Sequence, residues 1–301
     1  MNPHETLAVD SFIFNCEAKR LTDKTLSVYQ ERLDYLIRWA AEKDQSLLTL
    51  QTSDVQQYLL SLMRRGLAGI TINGRLKLYR QFYRYLLSQE LIGHDPTGGI
   101  PLVRCERRVR PVTSREDLKR VIRAVRRRRR GQFFGLRAEI MLMLGYDTMC
   151  RLNELISIRL DDMSIRDRTV RVFGKGRKER ILGFAPTTAA RLLVYLAQRA
   201  KLEIPGELLF STKRGRRLIY RNVRHIFERC GQLVDPPVAL APHQLRRSAA
   251  THYYEDIGNI LLIRNILGHE DVTTTQQYLK VEQQDVLRSY ERRTPVSALN
   301  I

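Results

Sequence analysis

The sequence has few cysteines and no long apolar run. Its 4 cysteines are scattered over 301 residues without a C-x-x-C spacing, which argues against a disulfide framework or a structural zinc site and favours a reducing compartment. No apolar stretch approaches the roughly 18–20 residues of a membrane span. The first residues, MNPHETLAVD, lack the basic-then-apolar order of a signal peptide. We therefore expect a cytoplasmic protein with no membrane partner.

Acidic residues are also in deficit. The chain has 52 Lys and Arg against 32 Asp and Glu, a formal net charge of +20. Residues 101–140 hold 14 basic and 4 acidic side chains, and they include the uninterrupted run Arg126–Arg130. A surplus this concentrated attracts polyanions and favours nucleic acid as the partner, with an anionic membrane surface or a merely solvated surface as the alternatives. The candidate DNA-binding residues are Arg104, Arg107, Arg108, Arg110, Arg126, Arg127, Arg128, Arg129, Arg130, Arg177 and Lys178.

A chain of this length is near the limit for one hydrophobic core, which predicts two domains. Apolar residues at helical spacing predict helices in residues 1–92, starting at Asp23 or Thr25, at Asp54 and at Thr71. The aromatic residues of these helices are expected in the core. Prolines and glycines among arginines predict a basic linker at 93–112. Residues 113–301 then form the second domain.

Ser114 and Asp117 form a capping-box-like start for the first helix of the second domain. The pattern changes after Arg151, where 169–173 and 180–184 are strand candidates that flank the sequence GKGRKE. We expect a β-hairpin with Lys175 at its tip. The predicted fold class is mainly α with a small β-hairpin or sheet, arranged as a two-domain DNA clamp.

Several residues whose side chains can take part in phosphoryl transfer follow one another along the sequence in a defined order. Two guanidiniums can bind the non-bridging oxygens of one phosphate, imidazoles can move protons near neutral pH, a lysine can protonate a leaving alkoxide, and a tyrosine near cations can act as a nucleophile. Taken singly, each residue has an ordinary structural explanation, and only their joint order is informative. In chain order they are Arg151, Lys175, His243 and Arg246 at H-x-x-R spacing, His269 and Tyr278. Glu154, three residues after Arg151, is expected to have a structural role and to hold Arg151 in place.

Metal-dependent chemistry has little support in the sequence. His269-Glu270 lacks the second histidine of an H-E-x-x-H site, and the segment GKG at 174–176 is too short for a phosphate-binding P-loop. We expect neither a metal nor another cofactor.

The order Arg, Lys, H-x-x-R, Gly-His and Tyr resembles the tyrosine recombinase, or phage integrase, family. The segments VRVFGKGRKERIL and GHEDVTTTQQYL are especially similar to Xer-type members, and the N-terminal helices with a proline-containing linker resemble the family's core-binding domain. The resemblance implies that Tyr278 is the nucleophile, that Arg151 and Arg246 hold the scissile phosphate, and that Lys175 is the general acid. It implies a proton-transfer role for His243 and a phosphate-supporting role for His269. One departure is Met149, where the family commonly has glycine, which predicts a slightly different turn.

The resemblance further implies an enzyme of a bacterial or archaeal cytosol that breaks and rejoins double-stranded DNA. Four protomers would exchange strands through a Holliday junction, without metal or ATP, and a C-terminal segment would dock on a neighbouring protomer. A paralogous recombinase or an accessory protein is a further possible partner. The alternatives are a type IB-like topoisomerase and a non-catalytic DNA-binding protein on a recombinase scaffold. An RNA-binding module has weaker support, because RNP-like and KH-like motifs are lacking.

Overall fold

A computed structural model describes residues 3–105, 111–128, 132–174 and 178–268. The chain forms two compact units, Met1–Arg108 and Val109–Ile301. None of the helices in these described ranges is long and apolar enough to cross a membrane.

The first unit consists of four helices. They are α1 (Pro3–Ala18), α2 (Asp23–Ala41), α3 (Thr52–Arg64) and α4 (Gly69–Ser88). The helix α1 was not predicted, whereas the other three begin within two residues of their predicted starts. The N-cap of α2 is Thr22, whose hydroxyl accepts the backbone N–H of Thr25.

Most aromatic residues of the first unit lie in or against its core, as predicted, whereas Phe14 and Tyr35 are exposed. Phe12, Tyr58, Tyr79, Phe82 and Tyr83 are all buried. Phe12 packs edge-on against Phe82 with ring centroids 5.2 Å apart, an arrangement that the aromatic quadrupole favours. These rings therefore form a hydrophobic core and are not exposed for stacking on bases.

Part of the predicted linker packs against the first unit. Ile100 is buried in the core of that unit. The side-chain amide of Asn73 in α4 donates to the carbonyl of Val103 at 2.9 Å and accepts its N–H at 2.8 Å. These contacts fix residues up to 103 on α4.

The second unit contains seven described helices and a small sheet. The helices are α5 (Arg115–Arg128), α6 (Phe133–Thr148), α7 (Leu152–Leu155), α8 (Pro186–Lys201), α9 (Tyr220–Gly231), α10 (Pro242–Ile257) and α11 (Ile260–Leu267). The helix α6 is buried on most sides and packs against α5, α8 and α10. The predicted capping-box-like start of α5 is present in part: Ser114 Oγ accepts the backbone N–H of Asp117 at 3.0 Å and donates to its carboxylate at 2.8 Å.

The predicted hairpin is confirmed. Strands β2 (Thr169–Phe173) and β3 (Glu179–Gly183) pair antiparallel, with Val170 opposite Leu182 and Phe173 opposite Glu179. A two-residue strand, β1 (Met163–Ser164), adds to β2 and gives the order β1-β2-β3. The mainly helical fold class with a small sheet is thus confirmed.

Candidate active site

Arg151 is placed by the sharp connection between α6 and α7. The helix α6 ends at Met149, whose φ of 50° lies in the left-handed region. Met149 therefore adopts a backbone conformation that glycine favours. Arg151 follows as the N-cap of α7, and its backbone N–H donates to Glu154 Oε2 at 2.7 Å.

The Glu154 carboxylate lies within a group of arginines. Its Oε1 accepts from Nη1 of Arg151 at 3.0 Å, and its Oε2 accepts from Nη2 of Arg180 at 2.9 Å. Nη1 of Arg246 is 3.9 Å from Oε2. The Glu154 side chain is only 5% exposed, and a buried carboxylate requires such partners. Glu154 therefore holds Arg151 in place, as expected from its spacing.

Arg246 is delivered by α10, which begins at Pro242. It is buried, and its Nη2 donates to the carbonyl of Leu267 at 2.8 Å. Nη2 of Arg151 donates to the next carbonyl, that of Gly268, at 3.1 Å. Both guanidiniums are thus fixed against the C-terminal end of α11. The structure brings together two residues that are 95 positions apart in the sequence.

The exposure of the two arginines differs. The Arg151 side chain is 37% exposed, whereas that of Arg246 is 4% exposed. A pair of fixed guanidiniums beside an open surface can bind two oxygens of a phosphate and stabilise the extra charge of a phosphoryl-transfer transition state.

His243 lies one turn before Arg246 in α10. Its side chain is exposed, and its ring centroid is 6.3 Å from that of Tyr220 at an interplanar angle of 41°. The first turns of α9 and α10 therefore meet one helical turn before Arg246.

Three of the six candidate catalytic residues, Lys175, His269 and Tyr278, lie outside the described residues. Two glycines adjoin them in sequence and are described. A Cβ at Gly174 would be 3.5 Å from Glu154 Oε1, and Gly268 contacts Arg151 through its carbonyl. The residues preceding Lys175 and His269 thus both lie at the arginine and glutamate cluster.

Five of the eleven candidate DNA-binding residues lie in the described part of the chain. Arg104, Arg127, Arg128 and Lys178 are exposed. Arg126 donates from Nε to Glu139 Oε1 at 2.8 Å, and Glu139 also binds Arg191, so Arg126 has a structural ion pair as well. The remaining candidates, Arg107, Arg108, Arg110, Arg129, Arg130 and Arg177, lie outside the described residues.

Two basic features were not singled out in the sequence. One is Arg180, whose role depends on contacts distant in sequence. The other is an exposed turn closed by Thr212, whose N–H donates to the carbonyl of Arg216 at 2.9 Å. The turn carries Lys213, Arg214, Arg216 and Arg217, and Nη2 of Arg217 donates to Ser157 Oγ at 2.6 Å. The run KRGRR in the sequence was a signal for it.

The thiol of Cys150, the residue before Arg151, is unreactive at neutral pH. Burial raises the pKa of Cys150 to about 11, against the effect of a hydrogen bond with Thr148. A thiol with such a pKa is protonated and a poor nucleophile at neutral pH.

A metal site is not evident in the part of the chain that the structure describes, where no three histidine, cysteine or acidic side chains converge.

Two family signatures match the chain. Residues 111–285 match the phage integrase family, and residues 13–90 match the N-terminal SAM-like domain of phage integrases. The first match contains every candidate catalytic residue.

Curated relatives align over nearly the whole chain. Tyrosine recombinase XerC of Psychromonas ingrahamii is 28% identical over 95% of this chain and 96% of its own length. Tyrosine recombinase XerD of Oceanobacillus iheyensis is 28% identical over 95% of this chain and 98% of its own length. Tyrosine recombinase XerC of Vibrio parahaemolyticus is 30% identical over 92% and 89%.

Solved structures share the fold. The XerH site-specific recombinase bound to palindromic difH substrate has a TM-score of 0.75 at 18% identity, covering 88% of this chain and 79% of its own. A lambda integrase tetramer bound to a Holliday junction has a TM-score of 0.71 at 16% identity, covering 91% and 77%. At these identities the likeness concerns the fold alone.

Proposed function

Since the chain belongs to the phage integrase family, we propose that it is a tyrosine site-specific recombinase, an enzyme that cleaves and rejoins DNA strands. The observation that carries this proposal is the fixed pair Arg151 and Arg246, held by Glu154 and by the last carbonyls of α11. The similarity to tyrosine recombinases XerC and XerD over 95% of the chain supports it.

In the proposed cleavage step, the phenol oxygen of Tyr278 attacks the scissile phosphorus. A bond forms between that oxygen and phosphorus, and the bond from phosphorus to the 5′ oxygen breaks. Arg151 and Arg246 bind the non-bridging oxygens, with His269 in support, and stabilise the added charge. The phenol proton passes to His243 or solvent, and Lys175 protonates the departing 5′ oxygen. The product is a 3′-phosphotyrosyl ester and a free 5′-hydroxyl.

Rejoining is the reverse reaction with a new strand. A 5′-hydroxyl from the partner duplex attacks the phosphotyrosyl ester, and Tyr278 leaves. The energy of the broken bond is stored in the ester, so the proposed cycle requires neither ATP nor a metal ion. Exchange of one strand pair gives a Holliday junction, and exchange of the second resolves it.

The proposed partners are double-stranded DNA and further copies of the chain. Solved neighbours include recombinase dimers and a tetramer on DNA, which supports a tetramer on two synapsed sites. The pairing protomer could equally be a paralogous recombinase, and an accessory protein could assist. We assign the core-binding role to residues 1–92, the linker to 93–112 and catalysis to 113–301.

The C-terminal segment, which lies outside the described residues, is proposed to dock on a neighbouring protomer. A chain lacking residues 283–301 should still form the covalent adduct on a single site but lose synapsis and recombination. Unchanged recombination would contradict this proposal.

Covalent trapping tests the proposed function. The protein is incubated in EDTA with end-labelled genomic fragments that are nicked at random. Where a nick lies just beyond a cleavage site, the short strand with the free 5′-hydroxyl diffuses away and the adduct is trapped. Adducts that resist SDS are collected, their DNA is sequenced and their peptides are mapped. An adduct at Tyr278 that is absent in Tyr278→Phe supports the proposal and identifies the site.

Other outcomes separate the rivals. Relaxation of supercoils at many sequences, without pairing of two sites, would favour a type IB-like topoisomerase. Tight DNA binding that is unaffected by Tyr278→Phe, with no adduct in either protein, would favour a non-catalytic DNA-binding protein.

A further inference from the structure

Arg180 is a nearly buried arginine close to the turn that joins the two strands of the hairpin. It is the second residue of β3, opposite Val172 of β2. Its side chain is 14% exposed, and its Nη2 donates to Glu154 Oε2 at 2.9 Å. This contact joins the hairpin to α7, because Arg180 lies in β3 and Glu154 lies in α7.

Two glycines leave the space that the Arg180 guanidinium fills. A Cβ at Gly174 would lie 2.7 Å from Nη1 of Arg180, and a Cβ at Gly268 would lie 2.6 Å from its Cζ. Real side chains do not approach so closely, so a substitution at either glycine would displace the guanidinium. Arg180 therefore contacts three segments at once: the end of β2, α7 and the C-terminal end of α11.

Arg180 also shares a carboxylate with the two phosphate-binding candidates. Glu154 Oε2 accepts from Arg180 at 2.9 Å, whereas Nη1 of Arg246 lies 3.9 Å away from the same oxygen. Without Arg180, this buried oxygen would lose a charged donor and would attract Arg246 more strongly. A shift of about 1 Å in a group that binds reacting atoms can cost about 100-fold in rate.

We propose that Arg180 is a positioning residue: by satisfying Glu154 and filling the slot between Gly174 and Gly268, it keeps Arg151 and Arg246 directed at the scissile phosphate. This inference rests on the proposed recombinase function. It deepens that function by adding a third guanidinium that acts through the other two.

Arg171 provides a matched control. It lies on β2 of the same hairpin, and its Nε donates at 3.3 Å to Asp162, whose side chain is 6% exposed. Asp162, like Glu154, is a buried carboxylate that accepts a backbone N–H three residues earlier. Arg171 thus reproduces the arginine-to-buried-carboxylate contact, but it is not placed in the cluster around Glu154.

The experiment measures single-turnover cleavage at saturating protein on the nicked site found by trapping. Arg180→Gln should cleave about 100-fold more slowly than the wild type, with DNA affinity unchanged within about threefold. Arg171→Gln should cleave within about threefold of the wild type. Arg180→Lys keeps the positive charge but lacks the planar guanidinium, and it should cleave about tenfold faster than Arg180→Gln.

A second substrate separates positioning from loss of structure. A methylphosphonate at the scissile position removes the negative charge that the arginine pair must hold. On it, the deficit of Arg180→Gln should shrink to below about tenfold, because less electrostatic stabilisation is required.

Three results would overturn the inference alone: wild-type cleavage by Arg180→Gln, an equal loss in Arg171→Gln, or an undiminished deficit on the methylphosphonate. A wild-type protein that forms no adduct would instead overturn the proposed function, and this inference with it.

Discussion

The guanidinium of Arg180 occupies the space in which Gly268 would carry a side chain. A Cβ at position 268 would lie 2.6 Å from Cζ of Arg180. Gly268 also ends α11 with a φ of 62°, in the left-handed region where glycine has no steric cost. Its carbonyl accepts from Arg151 at 3.1 Å. Backbone conformation and close packing thus require glycine at the same position.

Replacing Gly268 should therefore damage cleavage more than stability. Gly268→Ala is expected to lose about 1 kcal/mol of unfolding free energy for the left-handed backbone and to cleave about 10- to 100-fold more slowly as Arg180 moves. Gly258→Ala is the matched control, since Gly258 ends α10 with a φ of 71° and has no atom within 4 Å of the added Cβ. Denaturant titration and single-turnover cleavage measure both effects. Equal cleavage by the two variants would contradict the expectation.

Glu154 can be tested by removing its charge at constant shape. Glu154→Gln should destabilise the second unit by about 3 kcal/mol, because the buried arginines lose their negative partner and one of its two acceptor oxygens becomes a donor. It should also reduce cleavage at saturating protein by at least about 100-fold. Asp162→Asn, which alters a carboxylate of similar burial and capping geometry, should also destabilise but cleave normally. If both variants lost cleavage equally, Glu154 would have no special relation to the arginine pair.

Cys150 makes stability depend on alkaline pH. Burial raises the pKa of its thiol from 9.0 to about 11, so the folded state keeps the proton that the unfolded chain releases. The unfolding free energy should therefore fall as pH rises from about 9 to about 11, by about 2–3 kcal/mol from this thiol. Cys150→Ala should lack this part of the decline. Urea titrations of both proteins should give parallel stability curves from pH 6 to 8 that diverge above pH 9, and curves that stay parallel would show that the thiol does not titrate as stated.

The exposed end of the arginine run can be tested by salt. Replacing Arg127 and Arg128 with alanine leaves the Arg126 ion pair to Glu139 intact. If both side chains neutralise phosphates, the slope of log affinity against log salt concentration should decrease in magnitude by about 1.8. An unchanged slope would mean that the run does not contact DNA.

The sequence predicts elements with a regular pattern better than contacts between distant segments. The hairpin was evident because 169–173 alternates and is flanked by turn residues. By contrast, α1 has apolar residues on its exposed side as well, including Leu7 and Phe14, so it lacks the one-sided pattern that marks a helix. Short-range spacing thus carried most of the secondary structure.

The residues of the candidate site could be predicted from their order along the sequence, but most of their contacts in space could not. The spacing of Arg151 and Glu154 predicted their contact, which the structure shows at 3.0 Å. The role of Arg180 could not be predicted, because it depends on Glu154 and on a glycine that lies 88 positions later. No local pattern encodes such a meeting, which arises only when the hairpin, α7 and α11 pack together.

The side chain of Met149 couples the choice of residue at position 149 to the residues of α10 that it contacts. Its left-handed backbone costs about 1 kcal/mol that glycine would avoid, but its buried side chain packs with Ala249, Ala250, Ile263 and Leu267 between α10 and α11. Emptying such a site costs about 2–5 kcal/mol, so packing outweighs strain. A glycine at this position would be tolerated only together with a larger residue at Ala249 or Ala250. Position 149, two residues before Arg151, is therefore coupled to α10, and residues 149 and 249 or 250 are expected to change together or not at all.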